Sequence, residues 1–104
     1  QYEAAKTAWL DLFKDAQKTN NMNLITLVYG EVLNFFGTSG KNAEKIAVTY
    51  NLINYGKLNN QAKASFRGYE SLYQIYAQLN QPDKALDNIL KALDVCKQSK
   101  DSTG

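Results

Sequence analysis

The sequence predicts an all-α protein of about five antiparallel helices, and three observations carry that prediction. Apolar residues recur at intervals of three and four through five separate stretches, as they do on one-sided helices. Short polar punctuation divides the stretches: Thr19-Asn20-Asn21, Gly37-Thr38-Ser39-Gly40, Gly56 with Asn59-Asn60, and Asn80-Gln81-Pro82-Asp83. No stretch alternates for long enough to read as a strand, and links of only a few residues force consecutive helices to run antiparallel.

The first helix is expected over residues 2–18. Ala5, Ala8, Trp9, Leu12, Phe13 and Ala16 form its apolar side, and Lys6, Asp11, Lys14 and Asp15 lie opposite. Asn20 and Asn21 end it, since Asn tolerates the left-handed conformation found past helix C-termini. The second spans 23–36 with Leu24, Leu27, Val28, Val32, Leu33, Phe35 and Phe36. Its β-branched and aromatic residues suit a strand over 24–29, but the apolar run outlasts a strand without alternating. Gly30, at mid-helix, costs about 1 kcal/mol relative to Ala and is read as the close approach of a neighbouring helix. Gly37 is the expected C-terminal cap.

The third helix begins at Asn42 or Ala43, with Asn42 as its N-cap, and runs to Tyr55. Ile46, Tyr50 and Ile53 share one face, flanked by Val48 and Leu52, and Gly56 breaks the chain. The fourth covers 61–79, with Ala62, Phe66, Tyr69, Leu72, Tyr73 and Tyr76 inward. Pro82 opens the fifth, where its missing N–H is no loss, and the helix ends near Cys96 with Ala85, Ile89 and Ala92 inward. Residues 99–104 are polar and read as a tail or the start of a further helix.

Composition narrows the function classes. The net charge of +2 comes from 12 basic and 10 acidic residues spread along the 104-residue chain, so no nucleic-acid stripe or polybasic membrane patch is expected. With no His and one Cys, the chain has no Cys/His metal set and no internal disulfide. Cys96 is expected to be a small buried or half-buried filler. Asp83 and Asp87 read as charges favourable to a helix N-terminus. Gly40-Lys41 lacks the preceding strand and frame of a phosphate loop. The expectation is a non-enzyme without cofactors or metal. No apolar run approaches the roughly 20 residues that span a bilayer. The compartment stays open, with a soluble cytoplasmic location ahead of a periplasmic one. The start at Gln1 suggests a piece of a longer chain.

An internal repeat runs through these helices. Ala5, Ile46 and Ala85 superpose, each followed by an apolar residue four on (Trp9, Tyr50, Ile89) and another seven on (Leu12, Ile53, Ala92). Tyr29-Gly30-x-x-Leu33-x-x-x-Gly37 matches Leu72-Tyr73-x-x-Tyr76-x-x-x-Asn80. On these residues the chain resembles the tetratricopeptide repeat family. Its best copy is Tyr69, Leu72, Tyr73, Tyr76, Ala85, Ile89 and Ala92, with Asn80 at the turn. Departures are Tyr73 where a small residue is usual, Thr26 where a large one is, and Ile46 where Ala is. The anchors lie 41 and 39 residues apart (5 to 46, 46 to 85), against about 34 in the standard repeat. Longer helices or turns follow, as in tetratricopeptide-like sensor modules of bacterial regulators.

The resemblance implies a right-handed solenoid of stacked hairpins and a single domain over 1–98: a half-repeat at 1–20, then repeats at 21–60 and 61–98. It implies a protein or peptide partner on the concave face, lined by Leu24, Leu27, Glu31, Asn34 and Phe35 and then Arg67, Glu70, Gln74 and Gln78. The carboxylate clamp of some family members does not carry over, because Glu31 and Glu70 stand where it wants Asn or a cation. A neutral or mildly basic segment suits Glu31, Asn34 and Gln74 better. The same residues also fit a merely solvated surface. An alternative function is a regulatory, sensor or dimerisation segment of a larger signalling protein, with homo-oligomers forming through exposed terminal helices.

Overall fold

The computed structural model describes the backbone of residues 1–103 and the side chains of residues 1–99. Within them the chain forms α1 (Tyr2–Thr19), α2 (Met22–Thr38), α3 (Asn42–Leu58), α4 (Ala62–Gln78) and α5 (Pro82–Thr103), with no strand. The all-α expectation holds. Successive helices begin at residues 2, 22, 42, 62 and 82, a constant interval of 20. Two helices therefore take 40 residues, which replaces the intervals of 41 and 39 read from the apolar anchors.

The turns keep the same interval. Asn20, Gly40, Asn60 and Asn80 hold positive φ of 54°, 68°, 56° and 59°. Only Gly, or Asn with its short polar side chain, takes that conformation at low cost, which is why these residue types recur there. It lets the amides just past each helix reach back to carbonyls left open by its last turn. Lys41 N donates to Phe36 O at 2.9 Å, Gln61 N to Gly56 O at 2.8 Å, and Gln81 N to Tyr76 O at 2.9 Å. The cap glycine is thus Gly40, and Gly37 lies inside α2. Gly56 does not break α3, which continues to Leu58, and Asn42 is within α3 rather than outside it. Pro82 does open α5, but α5 passes Cys96 and continues through Thr103, so backbone assigned to a tail is helical; Gly104 lies outside the described residues.

Two compact units divide the chain at Lys41/Asn42. In the first, α1 and α2 pack through aromatic rings. Tyr2 stacks on Phe35 at 5.5 Å and Phe13 meets Tyr29 at 6.0 Å, so early α1 lies beside late α2 and the pair is antiparallel. Trp9 approaches Phe35 at 6.4 Å, and Lys41 Nζ sits 5.0 Å over the Tyr2 ring. Phe13 and Ala16 of α1 are buried, as are Ile25, Val28, Tyr29, Val32 and Phe36 of α2. Leu12, expected inward, is exposed, as are Ala8, Leu24 and Leu27. Gly30 also departs from expectation: a Cβ there would meet nothing within 4 Å.

The second unit places α4 against both α3 and α5. Ile53, Tyr69, Leu72 and Ala92 form its core, bordered by Ile46, Tyr76, Ile89 and Val95. The close helix approach is here. A Cβ on Gly68 would strike the Ile53 side chain and lie 3.4 Å from Thr49 O. One on Gly56 would strike the Ser65 side chain and lie 2.7 Å from Ser65 N. Ser65 Oγ donates to Ile53 O across the seam at 3.2 Å. Because α4 is held from two sides, it turns small residues inward: Ala64, Ser65, Gly68 and Ser71 are buried. Phe66 and Tyr73, expected inward, are displaced to the surface, and on α3 Tyr50 is exposed while Val48, Thr49 and Leu52 are buried.

Candidate functional site

The candidate residues on α2 stand on a helix with a fixed start. Asn21 caps α2, its Oδ1 accepting from Asn23 N at 3.0 Å and Leu24 N at 3.3 Å. Leu24, Leu27, Glu31 and Asn34 then follow at intervals of three and four, forming one exposed stripe. Leu27 is 63% exposed, more than any other leucine of this unit among the large exposed apolar residues. Phe35, four residues past Glu31, stands at the edge of this stripe but is half-buried. Its ring lies between those of Tyr2 and Phe36, at 5.5 and 5.3 Å, and its part is packing.

On α4 the candidate residues Arg67, Glu70, Gln74 and Gln78 also share a stripe. Arg67 Nη1 donates to Ser71 Oγ at 2.9 Å and lies 3.6 Å from Glu70 Oε1, with both charged side chains more than one-third exposed. Such a pair contributes about 0–1 kcal/mol and acts mainly to hold the guanidinium along the helix. Gln74 and Gln78 beyond it are exposed amides, able to donate and accept along an extended backbone.

A third surface was absent from the expected set. Leu86, Leu90 and Leu93 on α5 are exposed, and so is Tyr73 on α4. A cleft of about 410 Å³ lies beside them, lined by Tyr73, Ala77, Asn80, Pro82, Leu86 and Ile89 among others. The intervals of four and three between the leucines are a readable signal of a second apolar face, one masked by the stronger Ala85, Ile89, Ala92 pattern. Cys96 is also exposed rather than a buried filler.

Electrostatics in this unit gather around tyrosines. Burial first, then the charge and hydroxyl of Tyr76, push the Tyr50 hydroxyl above its ordinary pKa. The Lys91 ammonium is also held above its ordinary pKa, mainly by its hydrogen bond to Asp87, with the ion pair at 3.1 Å. Lys84 Nζ sits 5.4 Å over the Tyr76 ring. Among the described residues no group of three or more His, Cys, Asp or Glu side chains is placed to hold a metal ion, and no helix is long and apolar enough to cross a membrane.

Comparison with protein-family models, with curated proteins and with solved structures found no match.

Proposed function

We propose that this chain is a non-catalytic interaction module whose exposed stripes, one on α2 and one on α4, each bind an extended protein segment. The supporting observation is that Leu24 and Leu27 are surplus to folding: α2 already buries Ile25, Val28, Tyr29, Val32 and Phe36, yet still displays two leucines one turn apart. Glu31 and Asn34 continue that stripe with a carboxylate and an amide, which suits a segment bearing an apolar side chain followed by Lys or Arg. The amides of Gln74 and Gln78 suit backbone recognition. The tetratricopeptide resemblance supports the same reading, and the solenoid that it implies is part of this proposal.

Selection of peptides from a displayed library against the chain tests the reading. The expected winners carry an apolar residue and a basic one, and each of Leu27→Glu and Glu31→Lys weakens them by about tenfold or more, the scale of one contact near an interface centre. Helicity should stay unchanged, since both side chains are exposed. Winners indifferent to both substitutions, or no winners, would defeat the proposal.

The second reading is a regulatory or dimerisation segment of a larger signalling protein. It is favoured by the exposed leucines of α5, which serve neither the α3–α4–α5 core nor the stripes.

A further inference from the structure

We draw no further inference here: the strongest candidate, the exposed leucine face of α5 with the cleft at Tyr73 and Pro82 beside it, carries nothing because nothing in the structure shows what covers it.

Discussion

The α1–α2 hairpin and the α3–α4 seam join helices of nearly equal length through turns of two or three residues, yet hold them by opposite means. The first fills the space between helices with rings: Tyr2 on Phe35, Phe13 on Tyr29, Trp9 near Phe35. The second removes side chains until the helices nearly touch, with Gly56 facing Ser65 and Gly68 facing Ile53. The difference teaches that a shared length and turn geometry leave interhelical distance undetermined. Side-chain volume at the seam decides it, since interiors pack to near-crystalline density whichever way the volume is distributed.

Each side of that contrast can be broken by substitution. Phe13→Ala should have the largest effect, a loss of about 3–5 kcal/mol, because the ring is 2% exposed and packs on Tyr29, so its removal leaves a void in the hairpin. A urea midpoint that moves by far less would show that the rings cover the hairpin without filling it. Gly68→Ala acts in the other direction, by adding volume. The new methyl meets Ile53, and the overpacking of about 1–3 kcal/mol outweighs the helix-propensity gain of Ala, so the melting temperature should fall. Gly30→Ala is the same chemical change in open space, and it should raise stability by about 0.5–1 kcal/mol. If the two glycines respond with the same sign, the close approach on α4 does not limit stability, and the contrast between the two seams fails.

The sequence made the helices legible because their punctuation is chemical. Asn20, Asn60 and Asn80 mark turns by tolerating positive φ, and Pro82 marks a start by lacking an N–H. What stayed hidden was the inward face of α4. Periodicity weighs large apolar side chains, so Phe66 and Tyr73 outscored Ser65, Gly68 and Ser71, although the small residues are the buried ones. A glycine in a helix reads equally as a breaker, a cap or a close contact. Gly30 stands in open space, Gly37 lies within α2 and Gly56 faces Ser65, places that the local sequence does not distinguish. For the candidate site, spacing alone was enough to place Leu24, Leu27, Glu31 and Asn34 on one side of α2. It could not show that Phe35, on the same side, is half-buried, because its partner rings Tyr2 and Trp9 belong to another helix and leave no trace in the local period.

The four evenly spaced turns also govern which length changes the chain can absorb. Each residue of an α-helix advances the side-chain direction by about 100°. A single deletion inside α4 would therefore swing every later side chain of that helix away from its neighbour, carrying Leu72 and Ile75 out of the interior. With Leu79, Asn80 and Gln81 already committed to closing the helix end, the following link has no slack to restore the register. Insertions and deletions should thus be tolerated as whole helical turns or whole 40-residue helix pairs, and rejected in between. In lineage terms, a protein ruled in this way changes length by duplication more readily than by slippage.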